Sequence, residues 1–441
     1  MTNHDTTACA YRAQLLYFVA DPASCEDPSE AMRYYSDGLL LVDAHGLIQA
    51  CGDYAQLVQS LPDGTPLHDL SGKLIMPGMI DTHLHFPQTD IIASPSPGLL
   101  PWLETYTFPT ESKFGDSDHA REVAGVFLNE LLSNGTTTAL VYGSVHPQSV
   151  DAFFEESHGR NLRMIAGKVM MDRNCPDYLQ DTAESGGRDS EDLIRRWHGK
   201  GRQLYALTPR FAPTSTPEQL AVCGELARAY PDVFVQTHVA ENKDEIKWVS
   251  ELFPDNRSYL DVYDSFGLLR PRAVYGHSIW LDETDRARMH DTGSVAAHCP
   301  TSNLFLASGL FDFQSIRQSG VRHALATDVG GGTSFSMLRT MNEAHKVARL
   351  GGYHLTAAAM FYLATEGAAR ALDMQGQIGT LAPGAEADFI VLDTKATPLM
   401  ARRSALLDTL EEQLFVLAIL GDDRCISATY SGGRRVHQRT A

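Results

Sequence analysis

Short apolar runs that end in polar residues recur along the middle of the chain, and helical spacing of apolar residues follows several of them. Eight such runs occur, at residues 76–88, 136–146, 162–172, 204–213, 233–242, 273–281, 294–303 and 321–332. An apolar run followed by a helical segment, repeated eight times, is typical of a parallel barrel. The pattern therefore predicts an α/β fold, a (β/α)8 TIM-type barrel.

The segments between the runs carry helix signals. A helical stripe that ends before Gly135 is formed by Val123, Val126, Phe127 and Leu131. A second helix is predicted after Thr216, which can cap it, with Pro217 at the first position. The longest connection, residues 87–111, follows the first strand, and we expect it to form a lid over the active face.

The two ends of the chain have a different pattern. Residues 1–75 and 380–441 contain short β-like pieces joined by Gly and Asp turns, such as "GLLLVD" and "ADFIVLD". We predict that residues 1–75 and 380–441 together form one small β-sandwich domain. The barrel is predicted to occupy residues 76–379.

The composition excludes several classes of protein. The 441 residues are 43% hydrophobic and 21% charged, as in an ordinary globular protein. A formal net charge of −19 and the absence of a dense Lys/Arg run argue against nucleic acid or anionic membranes as partners. Seven scattered cysteines without a C-x-x-C pattern fit a reducing cytoplasm. No export signal or transmembrane segment is expected.

The ends of the predicted strands are unusually polar, and in a barrel of this kind they build the active site. Alternation along a strand sends His83 and His85 of the first strand to the same face. Two imidazoles on one face suggest a metal site. The polar residues at the strand ends are His83, His85, Arg210, His238, His277, His298 and Asp328. A catalytic Zn²⁺ takes N and O ligands and lowers the pKa of bound water to about 7. Glu241, three residues after His238, stands where a general acid or base is needed.

These motifs resemble the amidohydrolase superfamily: H-x-H on the first strand, His on the fifth and sixth, Asp on the eighth, and "IGTLAPGAEADFIVLD" after the barrel. Within it, six motifs resemble the branch that deaminates guanine, and they cover essentially the whole barrel in order: "DTHLHFPQ", "PWLETYTFPTE", "TPRFAPTS", "HVAENKDEI", "HCPTSNLFLASGLF" and "TDVGGGTSFSML".

The resemblance implies zinc-dependent hydrolysis of free guanine to xanthine and ammonia, with one zinc ion per subunit, in a cytoplasmic homodimer. It implies that the zinc ligands are His83, His85, His238 and Asp328. It implies that the catalytic groups are Glu241 as proton shuttle, Asp328, and His277 as a polar neighbour of the bound water. It implies that the substrate is bound by Gln88, Arg210, Phe211, His238, Glu241 and Asp328.

Several alternatives stay open at this point. His277 binds metal in some relatives and only hydrogen-bonds in others. Asp328 could cap the turn into "GGGTS", Glu241 could be a solvated residue that opens a helix, Arg210 could pair with a barrel carboxylate, and Phe211 could belong to the core. The substrate could be another amino-heterocycle, such as 8-oxoguanine, a pterin or a triazine. A non-catalytic barrel with a structural zinc is a further alternative, although a carboxylate ligand beside an unliganded Glu favours catalysis.

Overall fold

The computed structural model describes residues 8–440, so the predicted bounds at residues 1 and 441 lie outside the described residues. This range contains sixteen β-strands: β1 Cys9–Phe18, β2 Met32–Val42, β3 Ile48–Asp53, β4 Leu67–Pro77, β5 Met79–His85, β6 Thr136–Tyr142, β7 Arg163–Gly167, β8 Val169–Met170, β9 Leu204–Pro209, β10 Phe234–Val239, β11 Ala273–His277, β12 Val295–His298, β13 Arg322–Leu325, β14 Phe389–Leu392, β15 Ile426–Ser431 and β16 Arg434–Gln438.

The same range contains seventeen α-helices: α1 Tyr54–Leu57, α2 Leu99–Trp102, α3 Phe108–Glu111, α4 Ser117–Ser133, α5 Pro147–Gly159, α6 Ala183–Trp197, α7 Pro217–Ala229, α8 Lys243–Leu252, α9 Tyr259–Ser265, α10 Glu283–Thr292, α11 Pro300–Phe305, α12 Phe313–Gln318, α13 Met337–Leu350, α14 Ala357–Leu363, α15 Glu366–Ala371, α16 Pro398–Ser404 and α17 Leu410–Leu420. None of these helices combines the length and the apolar character needed to cross a bilayer.

The eight predicted strands form a parallel barrel in the order β5, β6, β7, β9, β10, β11, β12, β13, with the short β8 paired to β9. The two end strands are brought together where the backbone N–H of Asp328 donates to the carbonyl of His83 at 2.9 Å. Helices alternate with the strands, so the predicted TIM-type barrel is confirmed. The first strand ends at His85 because Pro87 helps to begin a short 3-10 helix, Phe86–Ile91.

A second sheet is built from both ends of the chain, as predicted. Its seven strands lie in the order β16, β15, β14, β4, β1, β2, β3, and β1 and β4 are its parallel pair. β4 ends at Pro77 and β5 begins at Met79, so the chain passes from this sheet into the barrel within two residues. The exact limits at residues 75 and 380 stay a prediction.

Most of the predicted helical stripe on α4 faces the core. Val123, Phe127 and Leu131 are buried, but Val126 is 47% exposed, so its assignment to the stripe was wrong. At 3.6 residues per turn the buried residues of α4, which also include Ala120, Ala124 and Leu128, form one arc of the helix surface, and Val126 lies outside that arc. The predicted cap of α7 is present, because the Thr216 hydroxyl accepts from the Gln219 N–H at 3.2 Å.

A buried ion cluster joins the barrel to the second sheet. The side chain of Glu386 accepts from Arg163 Nε at 3.2 Å and from Arg202 Nε at 3.0 Å, and Arg202 also pairs with Asp388. Burial by itself would raise the pKa of the Glu386 carboxyl, but the two guanidinium groups lower it to about 2. The cluster therefore depends on an ionised Glu386.

Candidate active site

Four predicted ligands converge at the carboxyl end of the barrel. Ligand atoms of His83, His85, His238 and Asp328 all lie within 4.8 Å of one another. Asp328 Oδ1 lies 3.3 Å from His83 Nε2 and 3.4 Å from His85 Nε2. Gly276 on β11 makes room for this arrangement, because a Cβ there would lie 2.5 Å from His83 Cε1.

The state of these histidines suits a metal ion. His238 Nδ1 donates to the carbonyl of Arg210 at 2.6 Å, so its Nε2 carries the lone pair and faces His85 Nε2 at 3.2 Å. Both ring nitrogens of His83 are buried, and neither has a hydrogen-bond partner among the described residues. A buried nitrogen without a partner is costly, whereas a metal ion would use the lone pair of the unprotonated ring nitrogen. The four residues therefore fit a zinc ion.

Burial controls the charges at this centre. It lowers the pKa of His85 to about 4 and holds that of His238 well below its usual value, which favours neutral imidazoles. Burial would raise the pKa of Asp328, but the imidazoles of His83 and His85, whose Nε2 atoms lie 3.3 and 3.4 Å from Oδ1, hold it well below its usual value. Neutral imidazoles with one carboxylate are the protonation states that metal binding requires.

A second group of donor atoms shares part of this centre. It consists of His83, His277, Cys299 and Asp328. Burial raises the pKa of the Cys299 thiol well above its usual value, and its Sγ donates to the carbonyl of Ala297 at 3.5 Å, so binding through the thiolate would cost this hydrogen bond and would place a second anion beside Asp328. The set with three imidazoles and one carboxylate is therefore the better metal site.

Glu241 lies beside the centre and is 2% exposed. Its Oε1 accepts from the Ser308 hydroxyl at 2.8 Å, and its Oε2 lies 3.4 Å from His277 Nε2. Burial and the negative charge of Asp328 raise the pKa of Glu241 to about 8. A carboxyl group with such a pKa both holds and releases a proton near neutral pH. The interpretation of Glu241 as a solvated residue is therefore wrong.

The backbone around these groups is held in an uncommon conformation. Four non-glycine residues next to the site have positive φ, namely Ala240 (49°), His277 (68°), Ser278 (53°) and Asp328 (52°). Such residues persist only where the surrounding structure holds them, and they are frequent at functional sites. Here they turn side chains at three strand ends toward one centre.

The other predicted residues line one cavity with these groups, together with Trp102 and Leu103. Gln88, Arg210 and Phe211 are all buried there. Arg210 also forms an ion pair with the carboxylate of Glu111, as one alternative interpretation of the sequence expected. Arg210 thus both lines the cavity and takes part in a buried ion pair. The expected lid segment is largely helical, with α2, a π-helix Leu103–Thr107 and α3.

Two further polar residues lie elsewhere: His298, the remaining polar residue at a predicted strand end, and the buried Lys168 between β7 and β8. His298 is buried against Phe311, with ring centroids 4.4 Å apart, and is not among the residues that line the cavity. Lys168 Nζ contacts Asp181 Oδ2 at 2.6 Å, which makes it part of a local ion pair.

Sequence reasoning missed four residues that support the site. Asn303 Oδ1 accepts from His277 Nδ1 at 2.8 Å, and Glu245 Oε2 accepts the backbone N–H of Glu241 at 3.1 Å. The other two are Ser308 and Glu111. All four occur inside the family motifs, but nothing in the spacing of residues indicates what they contact.

Comparisons with known proteins agree with this geometry. The chain matches the amidohydrolase family over residues 74–436. It is 48% identical to the guanine deaminase of Escherichia coli over 439 residues, which is 100% of both chains, and the solved structure of that enzyme superposes with a TM-score of 0.94. A guanine deaminase structure from Bradyrhizobium japonicum is 36% identical and covers 99% of this chain and 100% of its own, with a TM-score of 0.95. The structure of guanine deaminase from C. acetobutylicum with bound guanine in the active site is 28% identical, with a TM-score of 0.86 over 98% of this chain and 100% of its own.

Proposed function

The chain belongs to the amidohydrolase family and, within it, to the guanine deaminases, and we propose on this premise that it hydrolyses free guanine to xanthine and ammonia with one zinc ion per subunit. The observation that carries the proposal is the meeting of a three-histidine, one-aspartate donor set and the buried Glu241 in one cavity. His83, His85, His238 and Asp328 would hold the zinc ion. When bound, zinc lowers the pKa of water to about 7 and so supplies a nucleophile at neutral pH.

Glu241 moves the protons in this proposal. Hydrolysis at C2 of guanine needs a proton on ring N3 as the nucleophile adds, and then a proton on the departing 2-amino group. A carboxyl group with a pKa of about 8 can take one proton from the attacking water and deliver it to N3. It can then take the proton of the hydroxyl now carried by C2 and deliver it to the departing amine as the C2–N bond breaks. The Ser308 hydroxyl holds Oε1, which leaves Oε2 on the side of His277. Asp328 and His277 would orient the attacking water.

Gln88, Arg210 and Phe211 would hold the purine. Arg210 offers guanidinium donors that suit the O6 carbonyl, and Phe211 offers a ring face or edge. Its burial keeps the ring against the cavity, where a flat base can contact it. Free guanine rather than a nucleic acid fits the net charge of −19.

A cytoplasmic homodimer is part of the proposal. A groove beside α17 is lined by apolar side chains that include Met32, Leu410, Phe415 and Val416. Phe415 is 37% exposed, and α17 is apolar on most of its surface. Exposed apolar patches of this kind mark contacts between proteins. Light scattering coupled to size-exclusion chromatography measures the mass, and a monomer at micromolar concentration would contradict the dimer.

The activity is tested by steady-state turnover of free guanine by the purified, zinc-loaded protein. Guanine loss is followed by absorbance and ammonia release in parallel, with adenine and cytosine as controls. We expect turnover of guanine alone, its loss on removal of the metal, and its return on addition of zinc. Zinc binding without guanine turnover would refute the proposal and direct the search to other amino-heterocycles.

A further inference from the structure

Glu111 is a fully buried carboxylate beside the substrate cavity. It ends α3 and is 0% exposed. Its Oε2 accepts from Arg210 Nη1 at 2.7 Å, and its Oε1 accepts from Gln88 Nε2 at 2.9 Å. A buried ion pair contributes little to stability compared with apolar residues of similar size, because both charges lose their hydration. Stability alone therefore does not explain why a carboxylate is buried at this position.

The first consequence concerns the amide of Gln88. A carboxylate paired with a guanidinium only accepts hydrogen bonds, so the Gln88 atom that faces Glu111 must be the NH₂ group. Gln88 Oε1 accepts the backbone N–H of Gly330 at 3.2 Å. Both partners agree with one orientation of the amide and exclude the flipped one. The carbonyl of Gln88 is thus turned toward the Gly330 backbone, and the second N–H of the amide is the hydrogen left without a partner among the described residues.

The second consequence concerns Arg210. Nη1 is the guanidinium nitrogen that Glu111 binds, and among the described residues no hydrogen bond to Nε or Nη2 is formed. The guanidinium carbon lies 5.6 Å from the centroid of the Phe108 ring, which limits its rotation. Arg210 and Gln88 both line the cavity. This wall of the cavity therefore offers hydrogen-bond donors only.

We propose that Glu111 is a positioning residue that keeps this wall donor-only and thereby selects a base with two adjacent acceptors. Guanine presents O6 and N7, two acceptors side by side, whereas a purine with an amine at position 6 presents a donor beside N7. A donor facing this wall would meet Arg210 or Gln88 without an acceptor, and unpaired buried polar groups discriminate strongly. The inference rests on the proposed function and deepens it, because it assigns what makes the site select guanine.

The test replaces the carboxylate while keeping its size. In Glu111→Gln, an NH₂ group replaces one of the two carboxylate oxygens, so the new side chain has a single oxygen in place of the two that accept from Arg210 and Gln88. We expect KM for guanine to rise about 10- to 100-fold with a smaller change in kcat, since one buried donor loses its partner. The comparison substrate is 2,6-diaminopurine, which keeps the 2-amino group but carries an amine in place of O6. It is measured as a substrate or, without turnover, as a competitive inhibitor.

The preference for guanine is the decisive quantity. In the wild type we expect a high ratio of affinity or kcat/KM for guanine over 2,6-diaminopurine, and in Glu111→Gln we expect this ratio to fall at least about 10-fold. Glu111→Asp retains the negative charge beside Arg210, so this variant serves as the one that is expected to fold. Its carboxylate is one methylene shorter and cannot keep both contacts, so we expect an intermediate ratio. The matched control is Glu104→Gln, an exposed carboxylate in the same segment, which should leave both constants unchanged.

Zinc content and thermal unfolding are measured for every variant. A folded, zinc-loaded Glu111→Gln enzyme with wild-type KM and wild-type preference for guanine would overturn the inference while leaving the proposed function intact. Equal losses of kcat for both purines with unchanged KM would overturn it too, because that result indicates damage to the catalytic centre. If Glu111→Gln does not fold, a wild-type preference for guanine in Glu111→Asp would overturn the inference instead. A wild type that does not deaminate guanine would refute the proposed function itself.

Discussion

The hydrogen bond from Ser308 to Glu241 offers a sharp test of the proposed proton shuttle. Ser308 lies between α11 and α12, is 4% exposed, and donates to Glu241 Oε1 at 2.8 Å. It is not among the residues that line the cavity. We therefore expect Ser308→Ala to lower kcat for guanine and to leave KM and zinc content close to those of the wild type.

The size of the effect follows from that one contact. Glu241 is charged whenever it has released its proton, and a hydrogen bond to a charged group contributes about 1.5–3 kcal/mol. If all of it is lost in the transition state, kcat falls about 10- to 150-fold at 1.4 kcal/mol for each factor of ten. The loss should not exceed that of Glu241→Gln, since general acid–base catalysis as a whole contributes about 10²- to 10⁴-fold. Removing one hydroxyl leaves no cavity large enough to disturb the fold.

Single-turnover kinetics with zinc-loaded enzyme provide the assay. A double-mutant cycle with Glu241→Gln shows whether Ser308 acts on the rate through Glu241. We expect Ser308→Ala to have little further effect once Glu241 is replaced. Ser427→Ala serves as the matched control, because it removes from the second sheet a hydroxyl that has no hydrogen-bond partner within residues 8–440. Wild-type kcat in Ser308→Ala, or independent and additive losses in the double mutant, would refute the reasoning.

Three further predictions follow from the same structure. Glu241→Gln should retain zinc, measured by elemental analysis, and lose about 10²- to 10⁴-fold in kcat; substantial remaining turnover would exclude Glu241 as the shuttle. Arg210→Ala should raise KM for guanine sharply in steady-state kinetics, and an unchanged KM would remove Arg210 from the binding site. Glu386 has a folded pKa of about 2, below its ordinary value of 4.5, so its contribution to stability is present above about pH 4.5 and is lost as the pH falls toward 2. The difference in free energy of unfolding between wild type and Glu386→Gln, measured with urea, should therefore shrink between pH 5 and pH 3; a constant difference would contradict the linkage.

The strand pattern and the polar strand ends could be predicted because both are local. Alternation places His83 and His85 on one face of β5, and the carboxyl ends of parallel strands meet at one end of a barrel. The structure brings these two histidines together with His238 and Asp328, as expected from the sequence. The prediction that Val126 belongs to the buried stripe of α4 was wrong, because its exposure depends on which side of α4 packs against the barrel.

The amino-acid sequence by itself thus determined the barrel, the second β unit made from both chain ends, and the candidate metal ligands, because each depends on periodicity or on the order of strands. Only the tertiary structure decided which side chains support the active residues. Glu111 reaches Arg210 across 99 residues, and Ser308 reaches Glu241 across 67. Contacts of this kind depend on the packing of distant loops, and no local pattern in a single sequence encodes them.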